Sequence, residues 1–446
     1  MPPYPEKLEI TPLSRPPSAT VRVPGSKSIT NRALVLGALY AWDASCRILG
    51  ALRSEDTEVM VAALQALGYT VEPHWEANTP FVEVGPVEAF AKGDPDLAAW
   101  PPRSANLFVA NSGTSMRFLA ALVSLGKGRY RLDGVPRMRE RPIQPLLDAL
   151  QIAGVRAFSE NGDGCPPIVI EGAGGWTTER IRVRGDGSSQ FLSALLMAAP
   201  LACRRKELHI EVDGPLVSQP YIDMTVRMME TWSLPIWRQA GGFRVRHAGA
   251  EGWMYDGASY TVEPDASGAS YFFAAAAILR GEAVVPGLSS DSLQGDVRFV
   301  DFLERMGCGV ERHRMSIIVR GASLHGIDAD MNDISDTVMT LAAVACFAEG
   351  PTTIRNVAHI RHKETDRLAA LATELRRVGA EVEEFADGLT ITPRPLHGAE
   401  IETYNDHRMA MSMALIGLKV PGIVIKNPGC VAKTYPGFFA DLEKLR

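Results

Sequence analysis

An α/β (α+β) fold of six βαβαββ units, arranged as two similar domains, is what this sequence predicts, on three observations. Six segments open on a Ser, Asp or Asn cap signal and run into a helix of small apolar residues. Each is followed about 28–30 residues on by a second, amphipathic helical segment. Short β-like runs ending in Gly/Pro turns lie between the two helices, and after most second helices another strand pair follows.

In chain order, the first unit pairs SKSITNRALVLGAL with SEDTEVMVAALQALG and then makes a Pro/Gly-rich excursion over Glu76–Arg103. The second joins SGTSMRFLAALVSL through RYRLDGVP to RPIQPLLDALQIAG. The third joins SSQFLSALLMAAPL through ELHIEVDGP to SQPYIDMTVRMMETW, with YTVEP read as a strand after it. The fourth holds SGASYFFAAAAILRG, EAVVPG and GDVRFVDFLERMG. The fifth holds SDTVMTLAAVACFAEG, TTIRNV, KETDRLAALATELRRVG and the strand pair AEVEEFADGLTITP. The sixth holds NDHRMAMSMALIGL, GIVIKNPG and TYPGFFADLEKL. The first helix of each unit is apolar on nearly every face, the pattern of a helix buried inside a domain with strands outside it. Breaks near Pro24 and near Val262-Glu263-Pro264 divide the chain into a first domain, 24–262, and a second made of 1–23 and 263–446. The strand-like runs KLEITPL and ATVRVP, having no helices of their own, are expected to complete the sixth unit.

Composition narrows the function classes. Forty-six Lys+Arg against 52 Asp+Glu give a net charge of −6, which argues against a nucleic-acid or anionic-membrane partner. The six cysteines lie far apart without a CxxC, so neither a disulfide framework nor a zinc ribbon is indicated, and a cytoplasmic location is expected. The opening MPPYPEKLEI has no signal-peptide pattern, and the longest apolar runs fall short of the roughly 18–20 residues of a membrane span.

Against this acidic background, basic residues gather at the starts of the apolar helices. Arg361-His362-Lys363-Glu364-Thr365-Asp366-Arg367 puts six ionisable groups into seven residues ahead of LAALATELRRVGA, and reads as an anion site on the first turns of a helix with a carboxylate built in. Lys27 and Arg32, Arg117 and Arg408 occupy comparable positions far away in the chain. Helices of one repeat point their starts alike, so up to six dipoles and these cations are expected to serve one cleft suited to polyanions. Ser188, Ser189 and Gln190 suit a phosphate or a polyol, or simply cap a helix. Gly113 lets backbone approach a ligand. Arg137, Arg139 and Arg141, on alternate residues before Pro142, suit an extended segment that projects guanidiniums one way, or else a basic surface loop. Asp336 opens a very apolar helix as a dipole partner or a proton acceptor. His359 and His362 stand three apart without a third ligand motif, and no metal site is expected.

PGSKSITNRAL, NSGTSMRFLAAL, PRMRERPI, SSQFLSALLMAAPL, LVSQPYIDMT, DASGASYFFAAAAI, HIRHKETDRL, YNDHRMAMS and CVAKTYPGFF resemble, in order and over nearly the whole chain, the 5-enolpyruvylshikimate-3-phosphate synthases. The resemblance implies a two-domain inside-out α/β barrel. It also implies transfer of the enolpyruvyl group of phosphoenolpyruvate to the 5-hydroxyl of shikimate-3-phosphate through a tetrahedral intermediate, without a cofactor, in a monomer. By motif position Lys27, Ser28, Arg32, Ser188, Ser189, Gln190, Ser218, Tyr221, Asp336, His359 and Lys363 look like the shikimate-3-phosphate site. Lys27, Gly113, Arg137, Gln190, Arg367, Arg408 and Lys433 look like the phosphoenolpyruvate site. Glu364 and Lys27 are the implied proton-transfer groups at the enol and phosphate side, with Asp336 the base for the 5-hydroxyl.

Where many relatives read GNAGTAMRPL, this chain has Ala110, Ser112, Ser115 and Phe118, and His359 stands where Asn is frequent. Gly113 is retained. In this family a methyl added there obstructs glyphosate, so inhibition by glyphosate in competition with phosphoenolpyruvate is expected. UDP-N-acetylglucosamine enolpyruvyl transferase is the nearest alternative. That enzyme uses a loop cysteine as acid, and PRMRERPI has none.

Overall fold

The structure, a computed structural model, describes residues 4–40, 45–85, 104–203, 207–247 and 259–446. Among these residues the strands form six small sheets, five of four strands and one of three. The chain divides into two compact units, Lys27–Val262 and Met1–Ser26 with Glu263–Arg446.

The unit Lys27–Val262 holds helices α1 (Lys27–Tyr40), α2 (Glu55–Ala66), α3 (Gly113–Val123), α4 (Gln144–Ile152), α5 (Ser189–Ala202) and α6 (Gln219–Thr231). Its leading helices α1, α3 and α5 are buried on nearly every face, and every residue of α3 is buried. A helix of that composition has no polar face to give to water, so the sheets must cover it. The repeat is visible in the pairing. Asn106–Phe108 runs parallel to Lys127–Asp133, which is antiparallel to Ile168–Ala173, which is antiparallel to Arg156–Ser159. Arg180–Arg184, Glu207–Asp213, Gly242–Arg246 and Ile236–Gln239 repeat that order. Strand Ser259–Thr261 does not follow the third unit as its own strand. It returns to the first sheet and lies parallel to Cys46–Leu49, which continues antiparallel to Phe81–Val84 and on to Val71–His74. Most of the enlarged excursion expected over Glu76–Arg103 lies outside the described residues.

The other unit holds α7 (Ala266–Leu279), α8 (Phe299–Arg305), α9 (Val338–Ala345), α10 (Arg367–Arg377), α11 (His407–Gly417) and α12 (Phe438–Glu443). Every residue from Ala266 to Ile278 is buried, so α7 is the axis of this core, with Phe272 and Phe273 each contributing about 1.5–3 kcal/mol of burial. Asp406, in the sixth cap segment, does cap its helix by accepting from Arg408 N, but the fourth leading helix is capped by Asp265, which accepts from Gly268 N, rather than by the serine that opens SGASYFF. Asp366 caps α10 by accepting from Ala369 N. The N-terminal strands do not both complete the sixth unit. Lys7–Ile10 does pair with Ile423–Lys426, but Ser18–Thr20 lies parallel to Glu282–Pro286 in the sheet of the fourth. Each N-terminal segment thus fills the missing edge of a different sheet.

Candidate functional site

In the unit Lys27–Val262 the polar side chains collect where leading helices begin. Lys27, first residue of α1, is buried, and its Nζ lies 3.2 Å from Oδ2 of Asp56, itself buried in the first turn of α2. Arg32 points inward. Its Nε donates to Thr225 Oγ1 at 2.7 Å, its Nη1 to Ser28 O at 3.0 Å and its Nη2 to Tyr221 O at 3.1 Å. Phe118 offers its ring face to the same guanidinium, 5.1 Å from the centroid. Burial draws Arg32 down to about 10, with Tyr221 and Tyr260 opposing the shift. Arg32 therefore fastens α1 to α6 and holds Ser28 and Tyr221 in one neighbourhood. Ser188 caps α5 by accepting from Gln190 N, with Ser189 buried beside it, and Gln190 Nε2 reaches Thr114 Oγ1 at 3.2 Å, tying the starts of α5 and α3. Ser218, left-handed at φ 51°, leads into α6 and Tyr221.

The arginines of PRMRERPI do not project one way. Pro136–Glu140 is a 3-10 turn, in which Arg137 Nη1 donates to Glu140 Oε2 at 2.7 Å and Arg139 Nη2 to Asp133 Oδ2 at 2.8 Å. Arg141 leaves the turn with an extended backbone, φ −88° and ψ 120°, as befits the residue before a proline. Its buried guanidinium donates to Asn111 O at 3.0 Å and lies so close to Gly113 that an added Cβ would meet Nη2 at 2.3 Å. Arg141 is thus the guanidinium gathered at the start of α3, while Arg137 lies partly exposed beside Glu140. Arg117 turns back on its own helix and on Pro142 O.

In the other unit one carboxylate organises the cluster. Asp336 Oδ1 accepts from Lys363 Nζ at 2.7 Å and Arg367 Nη1 at 3.2 Å, and Oδ2 accepts from Arg408 Nη2 at 2.7 Å. Glu364 accepts from Arg367 Nη2 at 2.8 Å, and Asp406 accepts from Arg367 Nε at 2.8 Å. Arg408 also reaches the Tyr271 hydroxyl at 3.5 Å. Burial opposes the charge of Arg367, but Asp406, Glu364 and Asp336 outweigh it and raise its pKa. Burial lowers Lys363, with Asp336 opposing. His359 is pushed down to about 3 by burial, and the Lys363 ammonium adds to the shift. Lys433 is buried at the end of the 3-10 turn Pro428–Lys433.

The charged run Arg361–Arg367 is not carried on the first turns of a helix. Ala358–His362 is a 3-10 turn, Asp366 is the N-cap, and α10 begins only at Arg367. That break lets Lys363, Glu364 and Arg367 approach Asp336 and Asp406 from different directions. Arg361 is turned away, to Glu384 and Asp366. One residue that sequence reasoning passed over belongs to these groups, Asp56, a first-turn acid of α2, whereas Arg141 is the one of the three alternate arginines that reaches Gly113.

What the two groups share is a buried set of cationic donors and opposing carboxylates at helix starts, which defines a class: an enzyme acting on small polyanions. Two solved structures give that class its fold. EPSP synthase from Acinetobacter baumannii aligns with a TM-score of 0.79 at 25% identity, covering 98% of both chains. The enolpyruvyl transferase NikO from Streptomyces tendae aligns with a TM-score of 0.74 at 20% identity, covering 99% of this chain and 97% of the other. The sequence profile of EPSP synthase (3-phosphoshikimate 1-carboxyvinyltransferase) matches residues 14–442. Relatives named 3-phosphoshikimate 1-carboxyvinyltransferase include one from Trichormus variabilis, 46% identical with 99% of both chains covered, and one from Nostoc punctiforme, 47% identical with 97% of this chain and 98% of the relative covered. The chain belongs to the EPSP synthase family, and it is an enolpyruvyl transferase with the two-domain inside-out α/β fold.

Proposed function

We propose that this chain condenses shikimate-3-phosphate with phosphoenolpyruvate. The methylene carbon of phosphoenolpyruvate gains a proton, and its central carbon forms a bond to the 5-oxygen of shikimate-3-phosphate. The tetrahedral intermediate then expels inorganic phosphate and loses a proton from the new methyl group to give the enol ether. The observation that carries this reading is the convergence of Lys363, Arg367 and Arg408 on Asp336, with Glu364 bonded to Arg367. Family membership and the names of the relatives support the substrates.

Lys27, Ser28, Arg32, Ser188, Ser189, Gln190, Ser218 and Tyr221, with Asp336, His359 and Lys363, are the residues proposed for shikimate-3-phosphate. Lys27, Gly113, Arg137 and Gln190, with Arg367, Arg408 and Lys433, are those proposed for phosphoenolpyruvate. Arg141 joins the second set because its guanidinium is fixed against Gly113. Charge-assisted donors of this kind suit carboxylate and phosphate oxygens, and arginine pairs them bidentately. Asp336 serves as base toward the 5-hydroxyl. Its lone pairs are already engaged by three cationic donors, so it acts once the charges of phosphoenolpyruvate draw Arg367 and Arg408 to themselves. Glu364 and Lys27 move the protons at the enol and phosphate side.

A continuous assay of phosphate release tests the reading. Release with shikimate-3-phosphate and phosphoenolpyruvate is expected, and release only with UDP-N-acetylglucosamine as acceptor would overturn it. We further propose that glyphosate competes with phosphoenolpyruvate. No effect at millimolar concentration would refute that. The protein is proposed to act as a cytoplasmic monomer. All six of its cysteines are free thiols, which suits a reducing compartment, and sedimentation checks the stoichiometry.

A further inference from the structure

Glu374 is a carboxylate with no exposed surface, two turns beyond Arg367 on the same face of α10. It forms no part of the cluster around Asp336, so its burial needs another explanation. Its Oε1 accepts from the Tyr404 hydroxyl at 2.8 Å, its Oε2 accepts from Glu402 N at 3.1 Å, and Arg377 Nε lies 3.2 Å from Oε2. Both oxygens therefore grip the segment that enters α11. That segment is a tight turn, with Asp406 N donating to Thr403 O at 2.8 Å, and its two central residues, Tyr404 and Asn405, are both left-handed at φ 54° and 53°. Asparagine tolerates that conformation. A tyrosine adopts it only when its surroundings impose it. The turn ends on Asp406, whose carboxylate caps Arg408 N at 2.9 Å and holds Arg367 Nε at 2.8 Å. One face of α10 thus holds one short stretch of chain at two points, Glu374 at its beginning and Arg367 at its end.

We propose that Glu374 and Tyr404 are positioning residues for phosphoenolpyruvate: they lock the left-handed turn Thr403–Asp406 and so fix where Asp406 sets the backbone that carries Arg408 and the guanidinium of Arg367. The proposal rests on the substrate assignment above for those two arginines. Neither Glu374 nor Tyr404 touches substrate. Burial, reinforced by Glu374, pushes the Tyr404 phenol up to about 12, so it stays a hydrogen donor throughout the working range of pH.

Glu374→Gln keeps the volume but replaces a charged acceptor by an amide, so the Tyr404 bond must reverse to a weaker one from the amide to the phenol oxygen or Glu402 N loses its partner, and the charge beside Arg377 is lost in either case. Tyr404→Phe removes one hydroxyl and keeps the ring. Each variant and the double variant are assayed with wild type for KM of both substrates, for thermal melting, and for amide hydrogen exchange by peptide. In either single variant KM for phosphoenolpyruvate is expected to rise about tenfold or more, with KM for shikimate-3-phosphate changed less than about twofold. Exchange should quicken over 402–410 only, and the double variant should match the worse single one, since both residues act in one chain of contacts. Should Glu374→Gln fail to fold, Tyr404→Phe alone decides. Equal loss in both KM values with exchange raised throughout the unit marks a merely structural role and overturns the proposal. An unchanged KM for phosphoenolpyruvate, or unchanged exchange over 402–410, also overturns it. A wild type inactive on both substrates would sink the substrate assignment instead, and the exchange result would still judge the turn.

Discussion

Gly113 shows how one absent methyl decides where a charge can sit. A Cβ there would meet Arg141 Nη2 at 2.3 Å and Cζ at 2.9 Å, and this guanidinium is already anchored on Asn111. Gly113→Ala therefore moves Arg141 rather than merely narrowing a space. Steady-state kinetics should show a several-fold higher KM for phosphoenolpyruvate, weaker inhibition by glyphosate, and a melting temperature close to wild type, and an unaltered KM would contradict the geometry. The proton-transfer roles give a second test. Glu364→Gln keeps an acceptor for Arg367 and removes the acid, so turnover should fall about 10²–10⁴-fold with little change in melting. Lys27→Ala is a poorer test than the sequence suggests, because it strips the ammonium partner from Asp56 in a buried site and costs stability as well as activity. His359 carries a prediction about pH. Its folded pKa of about 3 lies below the ordinary histidine value, so between the two values the unfolded chain holds the extra proton. Stability contributed by the neutral ring is present near pH 7 and is lost as the pH falls toward 3. Urea unfolding at pH 7 and pH 5 should show a smaller acid loss for His359→Gln than for wild type.

At the scale of elements, the break between the 3-10 turn Ala358–His362 and α10 is what makes a compact charge cluster, and Asp366 maintains it. Its Oδ1 caps Ala369 N at 3.1 Å and accepts from Arg361 Nη1 at 3.0 Å. Asp366→Ala should cost about 1 kcal/mol, a drop in melting temperature of about 2–4 °C, measured by calorimetry. The leading helices were legible in the sequence because a segment as uniformly apolar as Ala266–Leu279 has only one place to go. The second helices were legible from their one-sided pattern. The short 3-10 turns were not, since alternate arginines read equally well as an extended run; Pro136 at the start and the Arg137–Glu140 pair across one turn tip the segment over. For the same reason the alternate spacing does not separate Arg141, the one brought to Gly113, from Arg137 and Arg139. Membership of the charged cluster was legible from motif order, whereas its organisation around Asp336 was not, because spacing along the chain says nothing about which carboxylate three distant cations share. Strand partners escaped too. Alternation identifies a strand but not the sheet it joins, so nothing local tells Ser18–Thr20 to lie beside Glu282–Pro286.

That pairing has a consequence for the molecule as a whole. The unit Lys27–Val262 is one continuous stretch of chain with all its strands within it, whereas the other unit is discontinuous and needs Met1–Ser26 to finish. Two sheets depend on the N-terminal piece: Lys7–Ile10 covers Ile423–Lys426, and Ser18–Thr20 covers the edge of Glu282–Pro286. Ile10 packs so tightly on α11 that a Cβ on Gly417 would lie 2.6 Å from its own Cβ. Further ties run from Leu13 N to Leu418 O, from Asn427 N to Glu6 O, from Arg446 Nη2 to Thr11 O and from the Tyr4 hydroxyl to Pro436 O. Removing the segment leaves two unpaired strand edges and an uncovered helix face, a combination that invites aggregation rather than a slightly weaker fold. A fragment of residues 27–262 is accordingly expected to unfold cooperatively on its own. A fragment of residues 263–446 is expected to lack a cooperative transition, and to regain one when a peptide of residues 1–26 is added at a concentration above its dissociation constant. Circular dichroism melts of the three samples decide the matter. A sharp transition for 263–446 without the peptide would mean that the N-terminal strands are ornament to that core, and the tight Ile10–Gly417 contact could no longer be read as structural necessity.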